Sequence, residues 1–101
     1  MNRQEILETV RQYRTGKGRQ YPIVRIGVFG SAARDRMRED SDVDIVVELG
    51  KPDLFVLIGI KQDLEEELHC AVDIVHFRSR MNPELRQRIE AEAIYVEVIV
   101  R

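Results

Sequence analysis

IVRIGVFGSAARDRMREDSDVDIVVEL, residues 23–49, decides the fold. It opens and closes on apolar, β-branched runs, 23–29 and 43–49, which read as a first and a second strand. Gly30-Ser31 breaks the first run, residues 31–34 look like the start of a short helix, and residues 35–41 are charged and turn-like. Aspartate is a poor strand former, and a buried carboxylate is costly unless something compensates its charge. Yet Asp42 and Asp44 stand two apart at the mouth of the second strand.

Outward from this centre the chain reads as alternating helices and strands. Residues 3–14 form a helix: Asn2 can cap it, Glu5 completes a capping box, and Ile6, Leu7, Val10 and Tyr13 share a face. Gly16 and Gly18 end it. After Gly50 and Pro52, residues 54–68 form a second long helix with Asp53 as N-cap. Gly59 weakens that helix by about 1 kcal/mol against alanine, so a packing reason is expected for it. Residues 71–77, AVDIVHF, are a third strand interrupted by Asp73. Asn82-Pro83 starts a helix that runs to about Glu92, because proline suits the first helical position. Residues 94–100 read as a short terminal strand or extended tail, or as an extension of that helix. The expected architecture is α/β (α+β): a small mixed β-sheet with the helices packed on one face.

Side chains alternate along a strand, so Asp42 and Asp44 share a side. If the second and third strands are neighbours, Asp73 completes a three-carboxylate cluster. Three carboxylates repel one another, and left alone at least one would hold its proton at neutral pH. A divalent cation removes that penalty, and oxygen-only ligands favour a hard ion, magnesium or manganese. Magnesium sites of this kind use few carboxylates and complete the shell with waters and substrate phosphates. Gly30 lets backbone approach a phosphate closely, a helix start presents free N–H groups, and Ser31 and Arg34 add donors. Taken singly, Gly30-Ser31 is a turn, Asp42 a turn residue, Asp44 a strand-edge charge and Asp73 a surface charge. Strand, Gly-Ser, short helix, charged loop, Asp-x-Asp, helix and strand aspartate in that order point to a site for a metal and a phosphate-bearing substrate.

The bulk numbers bound the rest. The 101 residues fit one domain, 1–101, burying roughly 60–65% of the unfolded surface. That is too little for a separate substrate-recognition domain, so a large substrate is expected to be a partner. Sixteen basic against eighteen acidic side chains give a charge of −2, which argues against direct nucleic-acid binding. Arg34, Arg36 and Arg38 form a local basic cluster able to serve a nucleotide phosphate. One cysteine, Cys70, excludes an internal disulfide and points to a reducing cytoplasm. No run approaches the ~20 apolar residues of a membrane span, and the first residues carry no signal-peptide core. His69 and His76 have no metal-like spacing with Cys70, and Glu65-Glu66-Glu67 reads as an exposed helix face.

Gly30-Ser31-x-x-Arg34 followed by Ser41-Asp42-x-Asp44, with Asp73 in the next strand, resembles the signature of the nucleotidyltransferase superfamily with the DNA polymerase β fold. The short chain resembles its minimal nucleotidyltransferase domain, and the likeness spans nearly the whole sequence. The resemblance implies two magnesium ions held by Asp42, Asp44 and Asp73, with Asp73 on the side of the attacking hydroxyl. It implies ATP as substrate, with Gly30 and Ser31 on its β- and γ-phosphates. It also implies an acceptor: members of this length pair with a HEPN-type toxin and attach AMP to one of its tyrosines, acting as antitoxin. Two alternatives stand beside this one. The chain could neutralise its partner by contact alone, or transfer a nucleotide to a small molecule such as an aminoglycoside. The family commonly has glycine after the arginine; Asp35 stands there instead, a residue that can adopt left-handed backbone but brings charge near the triphosphate.

Overall fold

A computed structural model describes residues 1–38 and 40–98. The elements are α1 (Arg3–Thr15), β1 (Ile23–Phe29), α2 (Gly30–Ala33), β2 (Val43–Leu49), α3 (Leu54–Leu68), β3 (Val72–His76), α4 (Pro83–Glu92) and β4 (Ile94–Val96), with a 3₁₀ turn at Lys17–Gln20. Their order is the one the sequence predicts. The expected terminal strand over 94–100 is limited to Ile94–Val96, and residues 99–100 lie outside the described residues.

The caps are those read from the sequence. Asn2 Oδ1 accepts the Glu5 amide at 2.9 Å and Glu5 reaches back to the Asn2 amide, closing the capping box of α1. Asp53 caps α3 through the Phe55 amide, and Asn82 caps α4 with Pro83 at its first position.

The four strands form one mixed sheet in the order β3-β2-β1-β4. β1 runs antiparallel to β2 and to β4, while β2 and β3 are parallel, joined by α3. The sheet is covered on both faces, which corrects the expectation of a single helical layer. On one face Ile26, Val28, Ile45 and Val47 pack against α1 and α3 through Ile6, Val10, Ile60 and Leu64. On the other, Phe29 and Val46 pack against Ile89 of α4, with Phe77, Leu85 and Tyr95 around them. The reason lies in β2, where Ile45, Val46 and Val47 are consecutive and all fully buried. Side chains alternate, so a continuous apolar run needs cover on both sides. Among the described residues no helix is long and apolar enough to cross a membrane.

Gly59 has its packing reason: a Cβ there would come within 2.6 Å of the Tyr21 hydroxyl oxygen. Gly59→Ala should therefore lose its helix-propensity benefit of about 1 kcal/mol and cost up to about 2 kcal/mol net through overpacking. In a Tyr21→Phe background, where the nearest obstacle becomes a ring carbon at 3.2 Å, the cost should fall by about 1 kcal/mol. Urea midpoints of the four chains check both steps.

Candidate active site

The parallel pairing of β2 with β3 sets Asp44 directly beside Asp73. Neighbouring strands lie about 4.8 Å apart and paired residues point to the same face, so the two carboxylates stand side by side. Asp42, exposed at the entrance to β2, lies two residues up the strand on the same side. The turn that delivers it is closed twice, by the Ser41 amide on the Arg38 carbonyl and by the Arg38 amide on Ser41 Oγ, both at 3.0 Å. The carboxylates share the α4 face of the sheet, beyond the end that Ile89 covers.

Asp44 feels this arrangement. Its carboxyl is pushed above the ordinary range first by burial and then by the Asp73 charge; Asp42 adds to the rise, while Arg88 and Arg34 oppose it. Two acids and two guanidinium groups thus act on one carboxyl. Among the described residues no three His, Cys, Asp or Glu side chains close around a common ligand position. The carboxylates are within one another's field without being gathered. An all-oxygen donor set whose central member is driven toward protonation fits a hard divalent cation. Cation charge would relieve the repulsion, and side-chain rotation would complete the shell.

Gly30 takes left-handed backbone, φ 68°, and a Cβ there would overlap Asp44 Oδ2. The close approach that glycine permits in this state is therefore that of the Asp44 carboxylate. α2 is a single turn, too short for much of a helix dipole. Of the three residues expected at a phosphate, the structure brings two together: the Gly30 amide and Arg34 Nη1 both donate to Glu92, at 3.3 and 2.9 Å. Ser31 Oγ is turned to the Met37 sulfur at 3.4 Å.

Asp35 does adopt left-handed backbone, φ 58°. Its Oδ1 accepts the Arg3 amide at 2.9 Å, so its charge supports the first turn of α1. Asp35→Gly should leave stability within about 1 kcal/mol of wild type, since relief of backbone strain offsets the lost hydrogen bond from the Arg3 amide. Asp35→Ala keeps the strain, loses the hydrogen bond from the Arg3 amide and should cost about 1–2 kcal/mol, read from thermal melts.

Two site residues escape the sequence reading, Arg88 and Glu92. Both lie on α4, and Arg88 is 5.8 Å from the Phe29 ring centre. Only the crossing of α4 over the carboxylate face brings them in, and local spacing carries no signal of that crossing. A cavity of about 360 Å³ opens near Met37, Ser41, Val43, Leu68 and Cys70. It is on the α1–α3 side, and the aspartates do not line it.

A sequence profile of the nucleotidyltransferase domain family matches residues 5–96. The protein adenylyltransferase MntA of Thermococcus cleftensis is 36% identical over 78 residues, 76% of this chain and 78% of its own. A solved structure provisionally described as a minimal nucleotidyltransferase superposes with a TM-score of 0.76 at 37% identity, covering 93% of this chain and 95% of that one. A chain in the structure of a tri-AMPylated Shewanella oneidensis HEPN toxin in complex with MNT antitoxin shares the fold, with a TM-score of 0.67 at 20% identity over 96% and 73% of the two chains. With the profile spanning β1 to β4 and the Asp-x-Asp strand set beside a third aspartate, the chain belongs to the nucleotidyltransferase domain family, as a minimal, enzymatic member of it.

Proposed function

We propose that this chain transfers AMP from ATP to a tyrosine hydroxyl of a HEPN-type toxin partner and so acts as its antitoxin. The observation that carries the reading is the register that sets Asp44 beside Asp73 with Asp42 two residues away, at an open end of the sheet. The adenylyltransferase relative and the AMPylated toxin complex support the nucleotide and the class of acceptor.

In this reading Asp42 and Asp44 would hold two magnesium ions, with Asp73 joining them on the acceptor side. Bound magnesium would neutralise charge developing on the α-phosphate and on the leaving pyrophosphate. The acceptor oxygen attacks the α-phosphorus, the bond to the β-phosphate breaks, and the hydroxyl proton passes to Asp73. Gly30, Ser31 and Arg34 hold the β- and γ-phosphates, which requires Ser31 to leave Met37. The acceptor presents its own hydroxyl at the open end of the strands.

A second reading is neutralisation by contact. It is favoured by the apolar start of α3, where Leu54, Phe55 and Ile58 are exposed, Phe55 by 84%. One experiment separates the two. The partner is co-expressed with wild type, Asp42→Asn or Asp44→Asn, and its intact mass is measured beside its toxicity. Transfer predicts added AMP masses with wild type alone, and toxicity in both variants. An unmodified partner silenced equally by all three chains establishes the contact reading.

A further inference from the structure

The last residue of α4 occupies two of the three donors that the proposed reaction reserves for phosphate. Glu92 Oε1 accepts from Arg34 Nη1 at 2.9 Å and Oε2 from the Gly30 amide at 3.3 Å. Its side chain is 26% exposed, against 47% for that of Arg34. Helix position does not favour it, since a carboxylate in the last turn faces the negative end of the helix. Its support comes from across the chain, from the β1–α2 junction.

We infer that Glu92 is an internal competitor of the nucleotide: it fills the Gly30–Arg34 position in the free chain and must yield it when a phosphate arrives. The inference rests on the nucleotidyltransferase reading above. One amide and one guanidinium edge cannot serve a carboxylate and a phosphate in the same place. The exchange is cheap on the side that is lost. A hydrogen bond of 3.3 Å from the Gly30 amide is longer than the usual range, and a half-exposed ion pair contributes little. It is favourable on the side that forms, because a phosphate offers more charge and more oxygens to the same donors. α4 can accommodate it, since Ile89 is its one fully buried side chain, whereas α1 and α3 each bury three. Glu92 therefore sets nucleotide affinity below what Gly30 and Arg34 alone would give.

The test compares wild type with Glu92→Gln and Glu90→Gln, using magnesium-ATP and, as a probe without a base, tripolyphosphate. Glutamine keeps the shape of Glu92 and removes its charge. Glu90 carries the same charge on the same helix but pairs with Arg86 at 2.8 Å, so it controls for a general charge effect. Calorimetry should show Glu92→Gln binding both ligands about three- to fivefold more tightly, with Glu90→Gln within about twofold of wild type. In NMR spectra of the wild-type chain, tripolyphosphate should shift the Gly30 amide and the Glu92 carboxyl carbon together. Unchanged or weaker binding by Glu92→Gln overturns the inference and leaves the nucleotidyltransferase reading standing. Equal tightening by Glu90→Gln overturns it too, as does a Gly30 shift with Glu92 unmoved. If neither ligand binds any of the three chains, the reading itself falls and the inference with it.

Discussion

Asp44→Asn should lower AMP transfer on the order of a thousandfold while leaving the free chain at least as stable as wild type. The two halves have one cause. Metal-assisted charge stabilisation supplies several kcal/mol at a phosphoryl transition state, and each ~1.4 kcal/mol is tenfold in rate. Asparagine cannot supply the anionic oxygen that the proposed cation would need. In the free chain the same carboxylate is a liability. Burial and the Asp73 charge raise its folded pKa above the ordinary 3.8, so the native state holds the proton more tightly than the unfolded state does. The stabilising effect of that proton is complete below the unfolded value and is lost as pH rises through the folded one. At neutral pH, therefore, wild type carries a repulsion that asparagine removes. Thermal melts without magnesium should place Asp44→Asn at or above wild type at pH 7.5, with the gap narrowing toward pH 4. Added magnesium should raise the melting temperature of wild type more than that of the variant. A variant that melts far below wild type at pH 7.5 would assign Asp44 a structural role instead.

How much of this was legible in the sequence depends on how far apart the cooperating residues are. The strands at 23–29 and 43–49 and the helix at 54–68 carry their boundaries locally, in β-branched runs, in Gly50 and Pro52, and in the Asp53 cap. Asp73 is legible at one remove: a helix between two strands implies a parallel return that puts Asp73 in the strand beside Asp44, while the register that pairs the two is no local property of the sequence. The second covered face is present in the Ile45-Val46-Val47 run, though Val46 shares its side of the strand with the charged Asp44 and Glu48. Arg88 and Glu92 were not legible, because their place depends on the angle at which α4 crosses Phe29. Asp35 shows a residue type read correctly for its backbone and incompletely for its charge, which the Arg3 amide uses.

Gly30→Ala should cost about 2–4 kcal/mol of stability, a large fraction of the 5–15 kcal/mol typical of a domain, and should remove transfer activity as well. Left-handed backbone at φ 68° costs an L-residue about 1–2 kcal/mol. The remainder comes from one contact: the new methyl would overlap Asp44 Oδ2. The side chain beside it cannot retreat freely, because Asp73 already repels that carboxylate, so either Asp44 turns away or the β1–β2 end opens. A double-mutant cycle with Asp44→Ala separates the contributions. Without the Asp44 carboxylate, the Gly30→Ala methyl meets only the position-44 Cβ at an ordinary 3.4 Å, and its cost should fall to the backbone strain of about 1–2 kcal/mol. Coupling of about 1 kcal/mol or more in urea denaturation is the expected result. Additive costs would mean that the glycine serves the backbone turn alone, and that Asp44 is positioned by its strand without help from the β1–α2 junction.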